Sequence, residues 1–193
     1  MRRLLGLLTA LALILSLGLS VAAGPAAAEA PRKRDVPSRE QWLADVKTAM
    51  NGARGYVRER AAAAEPGEQL AVNFDIDNTV LATYYDGGGA IPQMTRFVKL
   101  LEREGVAVLF NTGRVASQAG STRRQLLRNG FPVDGLCLRG KGRTLVYGKQ
   151  RCRDRFAAQG YTLIANVGNN DTDFVGDGYE QAYRLPNYDG VLG

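Results

Sequence analysis

Leu70-Ala71-Val72-Asn73-Phe74-Asp75-Ile76-Asp77-Asn78-Thr79 is the stretch that decides the fold. A short apolar run that breaks into polar residues reads as a buried parallel strand with chemistry at its carboxyl end. Upstream, Ser38 with Gln41 resembles a capping box, and Trp42, Val46, Met50, Ala53 and Val57 recur at helical spacing. This predicts one long amphipathic helix ending before Pro66. Downstream, Met94, Phe97, Val98 and Leu101 form the inner face of a second helix closed by Gly105, and residues 106–110 read as the next strand. The pattern then repeats: helix 118–128, strand 135–138, helix 149–158, strand 161–167 and a last short strand near 182–185. Strands alternating with helices predict an α/β fold, a mainly parallel sheet flanked by helices. Ligands gather at the carboxyl ends of such strands.

The 193 residues suit one domain. With no histidine, Ser-His-Asp and Cys-His catalysis and the usual histidine metal sites are excluded, so acid–base work falls to carboxylates, lysine or tyrosine. The net charge of +6 comes from scattered basic residues and no nucleic-acid motif accompanies it, so no stable nucleic-acid partner is expected. Met1-Arg2-Arg3 precedes an uncharged Leu- and Ala-rich run that ends in small residues, the layout of a secretory signal peptide over residues 1–28. Cleavage after Ala28 would leave a secreted or extracytoplasmic protein with no membrane contact; an uncleaved anchor is the alternative, because the run is long enough to span a bilayer. Residues 29–37 (EAPRKRDVP) read as a flexible lead-in, and residues 38–193 as the folded domain.

Four polar clusters fall at the strand ends: Asp75 to Thr79, Asn111-Thr112-Gly113-Arg114, Tyr147-Gly148-Lys149, and Gly168-Asn169-Asn170-Asp171-Thr172-Asp173. Their order and spacing resemble the haloacid dehalogenase-like superfamily, whose first signature is an apolar strand running into DxDx[TV]. Gly160-Tyr161-Thr162-Leu163, Asn166-Val167-Gly168 and Tyr183-Arg184-Leu185-Pro186-Asn187 resemble, more narrowly, its secreted acid phosphatases, the group that includes plant vegetative storage proteins. The resemblance implies a Rossmann-like sheet and a Mg²⁺-dependent phosphomonoesterase acting on a small-molecule or macromolecular phosphomonoester. A carboxylate can attack phosphorus and split hydrolysis into two displacements, but its charge and the phosphate's repel, so a cation is needed beside it. Asp75 is the candidate nucleophile, and Asp77 the acid that protonates the leaving alcohol and then activates water. By resemblance, Asp77 also offers its backbone carbonyl to the metal, Thr112 binds a phosphoryl oxygen, and Lys149 bridges nucleophile and phosphate. Lys141 is the alternative cation, and Tyr84 and Tyr85 could either stack on a substrate or pack beside the flap.

One position departs from the family. Where Gly-Asp usually supplies a metal ligand, this chain has Gly168-Asn169, whose amide oxygen can ligate Mg²⁺ but brings no charge. The metal set is thus Asp75, Asp77, Asn169 and Asp173, with Asp171 a substitute. Only residues 81–90 separate the first signature from the next helix, too few for a large cap domain, so an open site is expected. Two other functions stay open: a catalytically weakened binding or storage protein on the same fold, and a nucleotidase or nucleic-acid end phosphatase. Cys137 and Cys152 either form a bridge, as export would favour, or remain buried thiols. The sequence leaves oligomeric state undetermined.

Overall fold

The computed structural model describes residues 36–193. The expected signal peptide and most of the lead-in lie outside the described residues. Of the lead-in, Val36 packs against the core and the Pro37 carbonyl accepts a hydrogen bond from the Tyr85 hydroxyl at 2.8 Å.

Along the chain come α1 (Arg39–Ala49), α2 (Ala53–Ala62), β1 (Gln69–Phe74), a small hairpin of β2 (Leu81–Ala82) and β3 (Gly89–Ala90) around the helical turn α3 (Thr83–Asp86), then α4 (Pro92–Arg103) and β4 (Ala107–Val115). They continue with α5 (Ala119–Arg128), β5 (Gly135–Arg139), α6 (Leu145–Ala158), β6 (Tyr161–Gly168) and β7 (Gln181–Arg184). The five long strands form one sheet in the order β5-β4-β1-β6-β7, every pair parallel. This is a Rossmann-like α/β fold in which β1 is central. Phe74 pairs with Phe110 on one side and Val167 on the other, so the chain leaves β1, β4 and β6 at nearly the same level. That shared level brings three of the polar clusters to one edge. Among the described residues, no helix is long and apolar enough to cross a membrane.

Three elements differ from the sequence expectation. The single long helix is two, because Gly52 at φ 81° takes a left-handed turn that breaks the ladder after Met50 while Trp42, Val46, Ala53 and Val57 all remain buried. The helix carrying Lys149 starts a turn earlier, at Leu145, because Thr144 caps it by accepting from the Tyr147 amide at 3.2 Å. β4 runs on past Phe110 to Val115, since Thr112 still pairs with Leu138 and an irregularity then carries Val115 opposite Arg139. The segment between Asp77 and α4 holds only the hairpin, as the capless expectation required.

The main core lies where α1, α2 and α4 cover one face of the sheet, with Trp42, Phe74, Met94, Phe97 and Phe110 among its buried side chains. A second apolar cluster under α6 contains both cysteines, which are joined as a disulfide between β5 and α6.

Candidate functional site

Of the polar side chains the fold buries, most stand at the carboxyl edge of the sheet: Asp75, Asn78, Thr79, Asn111, Thr112, Lys149, Asn169 and Asp173. Burial of that many polar groups in a small domain is costly unless they satisfy one another. They do so around Lys149. Its Nζ donates to the Asn111 carbonyl at 2.7 Å and contacts Asp75 Oδ1 and, at 2.7 Å, Asp173 Oδ1. Asn111 returns a hydrogen bond from its Nδ2 to the Lys149 carbonyl at 2.8 Å, which locks α6 to β4 at the lysine.

Asp173 reaches the lysine by folding back over Gly168. A Cβ at position 168 would lie 2.4 Å from Asp173 Oδ2, so only glycine permits this turn. The Asp173 carbonyl is held by Arg153 Nη1 at 2.9 Å and by Asn166 Nδ2 at 2.9 Å, and its Oδ2 accepts from the Asn170 amide at 2.9 Å. Arg153 is itself buried on α6, one turn beyond Lys149, and it also caps the carbonyls of Val175 and Asp177.

Asp77 takes a different partner. Arg114 grips its carboxylate with two hydrogen bonds at 2.8 and 2.7 Å, Thr83 adds a third at 2.8 Å, and Gln125 fixes Arg114 from behind at 2.8 Å. Burial pushes the Asp77 carboxyl up, but Arg114 and Thr83 outweigh it and the net shift is downward. Asp75 moves the other way. Burial raises its carboxyl, and Asp173, competing for the same ammonium, adds to the rise against the pull of Lys149. Burial alone would neutralise Lys149, yet the two carboxylates hold it charged.

A cleft of about 150 Å³ brings together Asp75, Asp77, Thr112, Arg114, Lys149 and Asp173. Asn169 is buried beside it, its Oδ1 3.4 Å from Thr79 Oγ1, the same hydroxyl that lies 3.3 Å from Asp75 Oδ2. Lys141 is exposed outside the cluster, and Asp171 points to solvent near Arg184. Tyr85 stacks on Trp42 with ring centroids 4.7 Å apart, while Tyr84 is half exposed against it.

Among the described residues no three carboxylates or thiolates are grouped to hold a metal. The oxygen donors nonetheless suit a hard divalent cation. Asp75 Oδ2 and Asn169 Oδ1 converge on one hydroxyl, and the three carboxylates outnumber Lys149 and Arg114, so the cleft is one positive charge short even before a phosphate enters. Arg114 stands in the second strand-end cluster with no role legible from sequence, and Arg153 reads as one of the scattered basic residues of a solvated surface; only the fold shows that Arg114 pairs with Asp77 and that Arg153 is buried.

Comparison with known proteins agrees with this fold. The family model described as HAD superfamily, subfamily IIIB (Acid phosphatase) matches residues 85–190. That match begins after the Asp75 and Asp77 pair, so those two rest on their placement in the fold. The stem 31 kDa glycoprotein of Glycine max is 27% identical over 184 residues, covering 80% of this chain and 70% of the relative. The class C acid phosphatase from Bacillus anthracis, solved alone and with tungstate bound, superposes with a TM-score of 0.60 in both structures, at 20% and 21% identity, over 78% of this chain and 79% of that one. Since the family model spans more than half of the sequence, the chain belongs to the HAD superfamily, subfamily IIIB acid phosphatases, and is by that membership a phosphomonoesterase.

Proposed function

We propose that this protein is an exported, Mg²⁺-dependent acid phosphatase that works through an aspartyl-phosphate on Asp75. The observation that carries the reading is the buried Asp75 at the end of the central strand, sharing Lys149 with Asp173 while Arg114 holds Asp77 at the same cleft. In the first step an Asp75 oxygen bonds to phosphorus, the bond to the ester oxygen breaks, and Asp77 gives its proton to the departing alkoxide. In the second, Asp77 takes a proton from water, the hydroxide bonds to phosphorus, and the bond to Asp75 breaks, restoring the carboxylate and releasing phosphate. Arg114 favours ionised Asp77, so the protonation step gains as pH falls.

Lys149 orients Asp75 and neutralises part of the phosphoryl charge, and Thr112 offers its hydroxyl to a phosphoryl oxygen. Mg²⁺ would supply the remaining positive charge beside the phosphoryl group. Asp75, the backbone carbonyl of Asp77 and Asn169 Oδ1 would hold it; Asp173, already engaged by Lys149 and the Asn170 amide, would serve less directly. Export is supported by the leader and by a disulfide, which persists in oxidising compartments.

The test is turnover of p-nitrophenyl phosphate with and without Mg²⁺, followed by borohydride quenching of the working enzyme. Reduction of an acyl phosphate would convert Asp75 to homoserine, found by peptide mass spectrometry. Mg²⁺-dependent turnover with label at another residue would refute the assignment of Asp75. A second reading, a weakened binding protein, is favoured by the uncharged Asn169; a folded protein that binds phosphate without turning over esters would establish it.

A further inference from the structure

The amide at position 169 has a second contact, which an aspartate could not make. Asn169 Nδ2 donates to the Leu192 carbonyl at 2.9 Å, and Asn78 Nδ2 donates to that same carbonyl at 2.8 Å. Both donors are buried. An aspartate at 169 would set an oxygen against that carbonyl with no proton between them, which leaves two buried acceptors facing each other.

The carbonyl belongs to residues 187–193, which curl back over the site. Tyr188, Asp189 and Gly190 take left-handed conformations in succession, at φ 48°, 55° and 87°. The Leu192 amide then bonds to the Asn187 carbonyl at 3.2 Å, and its side chain is buried in the main core. Asn187 Nδ2 reaches Asn170 Oδ1 at 3.0 Å. As a result Gly193 lines the 150 Å³ cleft that contains Asp75 and Lys149, and Asn187, Asp189 and Gly190 line a neighbouring groove of about 540 Å³. Leu145, Asn170 and Thr172 border both. The inner cleft is smaller than the roughly 300–1,000 Å³ of ordinary ligand pockets, so it suits a phosphoryl group and little more. A leaving group that extends from the cleft into the groove meets the curled segment.

We propose that Asn78 and Asn169 form a two-amide latch that holds residues 187–193 as a wall of the catalytic cleft, and that this wall limits the size of the leaving group. The inference rests on the phosphatase reading for its second half only. Among the described residues no cap domain covers the site, and the segment supplies the confinement that a cap would give. Asn169 therefore trades the charge of a metal ligand for a donor that fixes the wall.

Asn78→Asp tests this, because it keeps the oxygen that accepts from the Tyr84 amide and sets an acceptor in place of the donor against the Leu192 carbonyl. Hydrogen exchange of peptides covering 187–193, measured on the metal-free protein, should accelerate at least about tenfold, since a latch bond and its burial are lost. Calorimetry with methylphosphonate and benzylphosphonate supplies the second readout: the affinity ratio should move toward the larger ligand by about fivefold or more. If Asn78→Asp does not fold, Asn169→Asp carries the same test. Unchanged exchange overturns the latch, and faster exchange with an unchanged ratio overturns the wall. If the wild-type protein binds neither phosphonate, the kcat/KM ratio for methyl phosphate and benzyl phosphate replaces the affinity ratio; no turnover of either ester overturns the aspartyl-phosphate reading and the wall's role, while exchange still judges the latch.

Discussion

Two clusters in this molecule have the same stoichiometry, two carboxylates around one cation, and opposite character. At the catalytic edge, Asp75 and Asp173 share Lys149; at the surface, Glu68 and Glu180 share Arg60, with contacts of 2.5 Å to Glu68 and 3.0 Å to Glu180. Yet the Asp75 carboxyl is raised from its ordinary value while that of Glu68 is lowered to about 2. Two causes separate them. Arg60 presents a planar fork that gives each glutamate its own N–H donors, and water screens the residual charge. Lys149 is a single buried ammonium that two carboxylates must divide, in a place where water cannot help. The surface cluster is complete as it stands. The buried one leaves two carboxylates to a single ammonium, and the proposed Mg²⁺ would relieve that.

Removing one carboxylate from each cluster should break them in different ways. Asp75→Asn should lower kcat on p-nitrophenyl phosphate by at least about a thousandfold, because the attacking oxygen loses its charge while the shape survives. Its metal-free melting temperature should hold or rise, since Asp173 then has Lys149 to itself. Glu180→Gln should leave kcat within about twofold. A decrease in melting temperature for metal-free Asp75→Asn, measured by calorimetry, would show that the buried cluster is not short of cation.

The disulfide sharpens the contrast, because it braces only the lysine side. Cys137 and Cys152 are 15 residues apart, and Cys152 lies one turn beyond Lys149 on α6. Closing a loop of that length stabilises by about 3 kcal/mol in the chain-entropy account. The double serine variant should therefore melt about 6–12 °C lower, by calorimetry with and without reductant. Reductant should lower the wild-type midpoint and leave the variant's unmoved.

Mg²⁺ itself should raise the melting temperature by a slightly smaller amount, about 2.7 kcal/mol of stabilisation at a hundred times its dissociation constant. That shift should shrink sharply in Asp75→Asn, whose amide oxygen brings no charge, and persist in Glu180→Gln. Loss of the shift in Glu180→Gln would mean that the ion binds at the surface cluster instead.

The sequence made the sheet legible because buried parallel strands announce themselves as short apolar runs, as at Leu70 to Phe74, and because Gly105, Gly130 and Gly160 punctuate the helices. The break at Gly52 stayed hidden because both helices keep the same buried face, so the apolar spacing runs through the turn. The start of α6 was missed because Leu145, Val146 and Tyr147 are exposed and show no inward periodicity. At the site, the four polar clusters and their order could be read from spacing, and the structure gathers Asp75, Asp77, Thr112, Lys149 and Asp173 at one cleft. What spacing could not show is pairing across long separations: Arg114 on Asp77, Arg153 under Asp173, and the Leu192 carbonyl on Asn78 and Asn169. Those contacts depend on the depth of each strand end, which only the register of the assembled sheet sets.

The smallest expected effect belongs to the surface cluster and follows from its completeness. Arg60 first, then the Glu65 amide at 3.1 Å, hold the Glu68 carboxyl at about 2 against an ordinary value of 4.5. The folded state thus binds fewer protons than the unfolded state between those values. Its stabilising effect is full above about pH 4.5 and is lost as pH falls toward 2. Glu68→Gln forgoes that effect at all pH values, so it should melt below the wild type at pH 6 and approach it as pH falls to 2. Because the pair is near the surface, the gap at pH 6 should be no more than about 2 °C and should shrink further in high salt. Melting curves across pH 2 to 6 decide it. A gap that stays constant with pH would mean that Glu68 stabilises by packing rather than by charge, and the surface cluster would then offer no electrostatic counterpart to the catalytic one.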